Sequence, residues 1–169
     1  APFLAAVAAG GVLIALTQDR RRMGLDGLTV CVCVRHGGRT ARFTALIDTG
    51  NRLREHRSAL PVLIAERSAI PKLSGLLDTL AENEIRRLGF GVLGSAGEMK
   101  CFYPDRIRIF DSSGRILKAP DCWIGIFEGT IPGRTRALAP PEFAEYAFAG
   151  NPTAEKKIRR ISHAIFNRQ

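Results

Sequence analysis

The most informative stretch of the chain is Ala45-Leu46-Ile47-Asp48-Thr49-Gly50-Asn51. Its three apolar residues predict the end of a strand anchored in the core, and the four residues after them predict a tight loop. Gly50 lets the backbone turn sharply and approach another chain closely, and the Thr49 hydroxyl can hold the loop through hydrogen bonds. The pattern predicts that Asp48 projects into a cleft. An ordinary surface turn is the open alternative.

An Asp-Thr-Gly loop after an apolar strand is the layout of an aspartic peptidase active site. Peptide hydrolysis needs one group that takes a proton from water and another that gives a proton to the amide. Two close aspartates meet this need because they share one proton, and their apparent pKa values belong to the pair. The chain has one Asp-Thr-Gly, so we expect Asp48 of a second copy to complete the pair on a two-fold axis.

Two later stretches support this interpretation. Residues 89–97 are rich in glycine and are predicted to form a mobile flap over the substrate, with Phe90, Gly91, Gly94 and Gly97 as the flap residues. The apolar-apolar-Gly element Trp123-Ile124-Gly125 is predicted to be the strand that passes behind the active-site loop.

The remaining pattern predicts a mostly β aspartic peptidase fold with at least one helix. Apolar spacing predicts a helix over 72–88, with a break near Asn83, and a short helix over 142–148. Strands are predicted at 28–34, 40–47, 61–65, 106–110, 115–118 and 122–127.

The two ends of the chain differ from its middle. Residues 2–16 carry no charge but are shorter than the roughly 18 residues that cross a bilayer. We interpret 1–18 as the remnant of a transmembrane helix, with an ordinary soluble segment as the alternative. The arginines at 20–22 then place the rest in the cytoplasm. The predicted organisation continues with a basic linker at 19–26, a peptidase domain at 27–149 and a basic tail at 150–169. That tail fits either an amphipathic surface helix or a solvated segment.

Charge and cysteine content narrow the function classes. The net charge is +9, but the cations concentrate at both ends, which favours membrane contact over direct binding of nucleic acid. The four cysteines form no Cys-x-x-Cys pair, so a zinc site is not expected. Cys31 and Cys33 are predicted to be small buried residues on one face of a strand. We expect neither a metal nor an organic cofactor.

Other catalytic chemistries find little support. His36, His56 and His163 are scattered along the chain and are predicted to be surface residues. The glycine-rich stretch lacks the Lys-Ser/Thr ending of a phosphate-binding loop.

Residues 45–51, continuing through Leu53, resemble the sporulation sigma-E factor-processing peptidases, whose catalytic domain is similar to retroviral-type aspartic peptidases. Further matching positions are Pro61-Val62, the stretch 88–94, Pro104-Asp105-Arg106-Ile107, Ile124-Gly125 and Ala137-Leu138. The Asn51 position, where many aspartic peptidases have Ala or Ser, is the most specific match. Arg54-Glu55-His56 departs from the family pattern, which tends to an acidic residue followed by Pro, and the flap is richer in glycine than expected.

The resemblance implies half of a retropepsin-like barrel that is completed by homodimerisation. It implies a membrane-bound enzyme, with its catalytic domain on the cytoplasmic side of the mother cell. Its substrate would be a pro-sigma factor (pro-sigma-E), from which it removes the pro-segment, and its activator a signalling protein secreted from the forespore. The alternative is a catalytically silent, membrane-tethered dimer that binds a sigma factor or a signalling protein.

Overall fold

The computed structural model describes residues 28–92, 95–111 and 114–147, and this part of the chain is mostly β. Its strands are β1 (Thr29–His36), β2 (Arg39–Ile47), β3 (Val62–Glu66), β4 (Ile85–Val92), β5 (Ser95–Phe102), β6 (Arg106–Phe110), β7 (Ile116–Lys118), β8 (Trp123–Phe127) and β9 (Ala137–Ala139). Two short helices, α1 (Pro71–Leu77) and α2 (Glu142–Ala147), and a 3-10 turn (Arg67–Ala69) complete the described elements. The predicted fold class, mostly β with at least one helix, is confirmed.

The first hairpin follows directly from its sequence. Val30, Val32 and Val34 alternate along β1 and are buried, because every second side chain of a strand points to the same face. The chain reverses at Gly37 and Gly38, whose φ angles are +53° and +74°. Glycine adopts this left-handed conformation without a steric penalty. β2 returns antiparallel to β1 and ends immediately before Asp48.

All the described strands belong to one mixed sheet with the order β4-β5-β8-β3-β9-β2-β1-β6-β7. β2 and β3 follow each other in the chain, but β9 lies between them in the sheet. β9 runs parallel to β2 and antiparallel to β3. Every residue of β3 and of β9 is buried, as expected for strands at the centre of a sheet. The loop that contains Asp48 therefore connects two strands across an inserted third strand.

Apolar side chains form two clusters. The helix-side cluster includes residues of β1, of α1 and of α2, among them Val32, Leu73, Leu77 and Phe143. The second, which we name the flap-side cluster, consists of Val62, Ile64, Leu88, Met99, Cys101, Ile131 and Leu138, with Leu46, Leu53, Phe90, Trp123 and Phe127 packed against it.

The predicted helix over 72–88 is wrong in its extent. α1 ends at Leu77, and Ile85 and Leu88 lie in β4. Leu73 and Leu77 are four residues apart and both buried, as the helical spacing predicted. Ile85 and Leu88 fit a helical spacing as well, but β4 pairs with β5 along its whole length. Pairing with the next strand, β5, decides the conformation there, and the spacing of apolar residues within β4 alone does not reveal that pairing.

Two side-chain predictions also need correction. Cys31 and Cys33 share a face, as expected, but both are only half-buried, because the valines of β1 occupy the core face. The side chain of His36 is 14% exposed, so it is not a surface residue. Its ring packs at 4.9 Å from the ring of Phe102, and its Nδ1 lies 3.3 Å from a carboxylate oxygen of Asp105.

The predicted membrane remnant (1–18), basic linker (19–26) and basic tail (150–169) lie outside the described residues. The proposed peptidase domain (27–149) contains all the described strands and helices. Within the part of the chain that the structure describes, no helix has the length and hydropathy needed to cross a membrane.

Candidate active site

Asp48 is the first residue after β2, and its side chain is 1% exposed. Its backbone N–H donates a hydrogen bond of 2.7 Å to the carbonyl of Ala139 in β9. The N–H of Ile47 donates a hydrogen bond of 2.8 Å to the carbonyl of Leu28, which immediately precedes β1. The backbone that leads into the loop is thus held by hydrogen bonds on two sides, and these bonds fix the position of Asp48 relative to the sheet.

The loop also orders its own carboxylate. The N–H of Gly50 donates to Oδ1 of Asp48 at 2.9 Å, and the N–H of Asn51 donates to the carbonyl of Asp48 at 3.0 Å. An aspartate that accepts a hydrogen bond from the backbone two residues ahead forms an Asx turn. Thr49 and Gly50 are half-buried at its tip. One carboxylate oxygen is therefore fixed in direction by the backbone of the same loop.

Asn51 connects the loop to the next strand. Its side chain is 3% exposed, and its Nδ2 donates a hydrogen bond of 2.8 Å to the carbonyl of Val62. Its Oδ1 accepts a hydrogen bond of 3.2 Å from the N–H of Leu53. The sequence placed Asn51 in the active-site loop but carried no signal for its partner, because Val62 lies 11 residues further along the chain.

The strand beside the active-site loop is β9 (Ala137–Ala139), so the prediction that Trp123-Ile124-Gly125 occupies this position is wrong. That element lies in β8, which pairs with β3 and β5. Gly125 is explained by packing instead. A Cβ atom at this position would overlap the sulfur of Met99 and lie 3.0 Å from Cγ1 of Val62. The absence of a side chain lets the β5 side chains pack over β8.

The glycine-rich stretch forms a hairpin of β4 and β5. The pairing of β5 with β8 covers Lys100–Phe102, whereas the pairing of β4 with β5 runs from Ile85 opposite Phe102 to Val92 opposite Ser95. The distal half of the hairpin therefore extends beyond the sheet, as a flap requires. Gly91 lies in β4, and Gly94 lies outside the described residues.

Phe90 and Gly97 form a cross-strand pair on the hairpin. A Cβ atom at Gly97 would lie 2.6 Å from the ring of Phe90, so the ring covers the glycine backbone. The same ring meets that of Phe127 edge to face, with 5.7 Å between centroids. The two flap residues thus support each other, and Phe90 ties the hairpin to β8.

The flap-side cluster links this hairpin to the surroundings of Asp48. Leu88 and Met99 come from the base of the hairpin, and Leu138 comes from β9. Leu46 and Leu53 flank the Asp48 loop in sequence and pack against the same cluster. The hairpin base and the flanks of the Asp48 loop therefore share one apolar cluster.

Glu55 holds the turn that follows the loop through hydrogen bonds. It belongs to Arg54-Glu55-His56, the tripeptide that departs from the family pattern. Glu55 is 3% exposed. Its Oε2 accepts hydrogen bonds from the N–H of Arg57 at 3.1 Å, and from the N–H and Oγ of Ser58 at 2.8 and 2.7 Å. Burial acts to raise the pKa of Glu55, but the hydrogen bonds from Ser58 and Arg57, together with the positive charge of Arg86, outweigh it, so the pKa is lowered.

A second contact ties this segment to the C-terminal helix. Arg54 donates to Oε1 of Glu142 at 2.6 Å, and both side chains are about one-third exposed. Exposed pairs of this kind contribute about 0.2–1 kcal/mol. This pair positions the segment more than it stabilises the fold.

A cavity of about 430 Å³ lies at the far edge of the sheet, beside β6 and β7. Asp48 does not line it. The cavity and the Asp48 loop are therefore separate features of the chain.

A mostly β fold that presents Asp-Thr-Gly in a loop held by β9, by β3 and by the residue before β1, together with a projecting hairpin, is typical of the class of aspartic-type peptidases. The chain matches the peptidase family U4, described as sporulation factor SpoIIGA, over residues 2–141, and it belongs to that family. It is accordingly a sporulation-related peptidase, a hydrolase. No curated protein and no solved structure matches the chain.

Proposed function

We propose that Asp48 is the catalytic residue and that two copies of the chain each contribute one Asp48 to a shared dyad. The observation that carries this proposal is the fixation of Asp48 by Ala139 of β9 and, through Asn51, by Val62 of β3. Catalytic groups must be held in place by their supporting shell. The chain has one Asp-Thr-Gly, so a symmetric dimer supplies the second carboxylate.

In this mechanism one Asp48 is ionised and the other is protonated. The ionised carboxylate takes a proton from a water molecule, which attacks the peptide carbonyl carbon. The protonated carboxyl donates its proton to the carbonyl oxygen, which gives a tetrahedral intermediate with two hydroxyl groups. As the C–N bond breaks, the first Asp48 passes the proton it took from water to the amide nitrogen. The second Asp48 recovers a proton from one hydroxyl as the carboxyl product forms, so the dyad again holds one proton. The backbone N–H of Gly50 holds one oxygen of each Asp48, and the hairpin closes over the substrate and excludes water.

The proposed substrate is a sporulation pro-sigma factor (pro-sigma-E), from which the enzyme removes the pro-segment. Membership of the sporulation factor family supports this assignment. We place the catalytic domain on the cytoplasmic, mother-cell side of a membrane, because the uncharged residues 2–16 precede the arginines at 20–22. A signalling protein secreted from the forespore is the proposed activator.

The test is co-expression of the membrane-anchored protein with the candidate pro-sigma factor and the activator, followed by sizing of the substrate on a gel. Asp48→Asn keeps an oxygen that can accept the Gly50 hydrogen bond but cannot ionise, and we expect cleavage to fall by at least about 10³-fold. Asp121→Asn removes an exposed carboxylate and should cleave like the wild type. If Asp48→Asn cleaves as well as the wild type while reaching the membrane, Asp48 is a turn residue and the silent binding dimer becomes the better description.

The shared dyad has a separate test. Differently tagged wild-type and Asp48→Asn chains are expressed together in equal amounts. If each dimer needs two aspartates, random pairing leaves about a quarter of the dimers active. A residual activity near one half would show that each chain acts alone.

A further inference from the structure

The outward face of β2, β1, β6 and β7 is strongly basic. The register of these strands places on one face the residues Thr29, Cys31, Cys33, Arg35, Thr40, Arg42, Thr44, Arg106, Arg108, Phe110, Ile116 and Lys118. Among these positions there are five cations and no carboxylate. The opposite face of the same strands carries the buried valines of β1 and belongs to the helix-side cluster. We call this outward surface the basic face.

The contacts within the basic face do not neutralise its charge. Arg42 donates to the sulfur of Cys31 at 3.1 Å and lies 4.4 Å above the ring of Phe110. Neither contact supplies a negative charge. Of the carboxylates at its border, Asp105 binds the N–H of Gly37 and Asp111 binds Arg115, and Asp121 lies across the cavity that Arg106 and Lys118 also line. With five cations on the face and carboxylates only at its border, the face carries a net positive field.

The outer edge of this face is also apolar. Tyr103 and Ile116 are the exposed large hydrophobic residues of the described chain, with 44% and 53% of their surface accessible. Both line the cavity of about 430 Å³, together with Arg106 and Lys118. Cations next to an exposed aliphatic and an aromatic residue form a surface suited to the boundary between lipid headgroups and acyl chains.

The basic face is unsuited to contact with a second copy. A two-fold contact would set the same arginines against each other without a carboxylate between them. In sequence, the arginines at 20–22 stand shortly before β1, and residues 2–16 before them are uncharged. β1, which lies within the basic face, is the first described strand after the proposed anchor, and β6 and β7 extend the same face from later in the chain.

We propose that the basic face docks on the anionic headgroups of the membrane, with Ile116 and Tyr103 at the interfacial layer. This inference rests on the membrane anchorage proposed above. Each cation near an anionic bilayer contributes about 1 kcal/mol, screened by salt. Docking would hold each catalytic domain in one orientation at the membrane surface, and that deepens the proposed function by stating how two copies are presented to each other.

The cysteines of the chain provide the probe. Cys31 and Cys33 are half-buried on the basic face, whereas Cys101 and Cys122 are buried in the core. Burial raises the pKa of both core thiols to about 12, so they serve as unreactive internal references. The whole chain carrying Asp48→Asn is bound to vesicles, and modification by a bulky charged maleimide is followed by mass spectrometry.

Vesicles with about 30% phosphatidylserine should slow the labelling of Cys31 and Cys33 at least about fivefold relative to phosphatidylcholine vesicles, and about 0.5 M salt should abolish this protection. Arg35→Glu combined with Arg106→Glu reverses two paired, exposed positions of the face, and protection should be lost. Lys72→Glu combined with Arg134→Glu makes the same change of charge at exposed sites elsewhere, and protection should remain.

Equal labelling on the two kinds of vesicle overturns the proposal. Protection by polyglutamate or by poly(U) RNA, without protection by anionic vesicles, also overturns it and assigns the face to an acidic polypeptide or to nucleic acid. Because the chain in this experiment is catalytically disabled, its outcome is independent of whether Asp48 cleaves the substrate.

Discussion

Substitution of the buried Asn51 tests directly how the active-site loop is held, because its side-chain amide connects the loop to β3. Asn51→Ala removes the hydrogen bonds to the carbonyl of Val62 and from the N–H of Leu53. Each contributes about 1 kcal/mol net, and a buried carbonyl left without its donor adds about 1 kcal/mol or more. We therefore expect the free energy of unfolding to fall by about 3 kcal/mol. Arg52→Ala, at the exposed neighbouring position, should change it by less than about 0.5 kcal/mol.

Asn51→Asp tests the same contacts through the dependence of stability on pH. The introduced carboxyl can still accept from Leu53, but when ionised it sets an anion against the carbonyl of Val62 in a buried site. Burial and the facing carbonyl oxygen both disfavour the ionised form, so we expect the pKa of the introduced carboxyl to lie above its value in the unfolded chain. The folded state then binds the extra proton more tightly, so the variant is closest to the wild type below about pH 4 and loses stability as the pH rises through the raised pKa.

Urea unfolding, followed by the fluorescence of Trp123, the one tryptophan of the chain, measures these changes. With an m-value of about 2 kcal/mol/M, a loss of 3 kcal/mol lowers the urea midpoint by about 1.5 M. Our account of the loop is refuted if Asn51→Ala unfolds at the same midpoint as Arg52→Ala. It is also refuted if the deficit of Asn51→Asp relative to the wild type is the same at pH 4 and pH 8.

Three further predictions concern Gly125, Gly97 and Glu55. Gly125→Ala places a Cβ atom against Met99 and Val62 and should lower the free energy of unfolding by about 1–3 kcal/mol; an unchanged urea midpoint would show that β5 and β8 pack differently. Gly97→Ala pushes the ring of Phe90 off the hairpin and should slow substrate cleavage severalfold, whereas Gly89→Ala, where an added Cβ atom meets nothing within 4 Å, should cleave normally. Because the pKa of Glu55 is lowered from 4.5, its carboxylate stabilises the fold above that pH and loses this effect as the pH falls through the lowered pKa. The stability difference between the wild type and Glu55→Gln should therefore be largest near neutral pH and vanish in acid, and a difference that grows in acid would contradict it.

The sequence predicted well those features that depend on neighbours in the chain. Alternating valines and two glycines define the first hairpin, and the apolar residues before Asp48 form the end of β2 as expected. The glycine-rich stretch that was predicted to be a flap forms a hairpin whose distal half extends beyond its pairing with β8, and its role as a flap stays a prediction.

The features that sequence reasoning missed depend on distant pairing. An apolar-apolar-Gly motif fits any buried strand of the sheet. It was assigned to the strand beside the loop, which is β9, but it lies in β8, on the other side of β3, and Ala137–Ala139 has no periodicity of its own that would have identified it. Glu55 was noted only within a departure from the family pattern. Its partners Arg57 and Ser58 are close in sequence, but its burial, with Arg86 of β4 at 3.9 Å, is set by the fold. The roles of Asn51 and Gly125 require knowledge of residues on other strands.

The contacts around Asp48 bear on what dimerisation has to accomplish. Leu28, Ala139 and Val62 hold the backbone of the loop and come from the same chain as Asp48, so one chain builds its half of the site by itself. In the proposed dimer the missing component is therefore the second carboxylate, and association supplies it without having to refold the loop. Two chains confined to a membrane meet at a much higher effective concentration than in solution. A docked basic face also limits the orientations in which they meet. The proposed activator, by bringing the proposed anchored chains together, would therefore need to supply only the free energy of association, because the backbone of each loop is already held within its own chain.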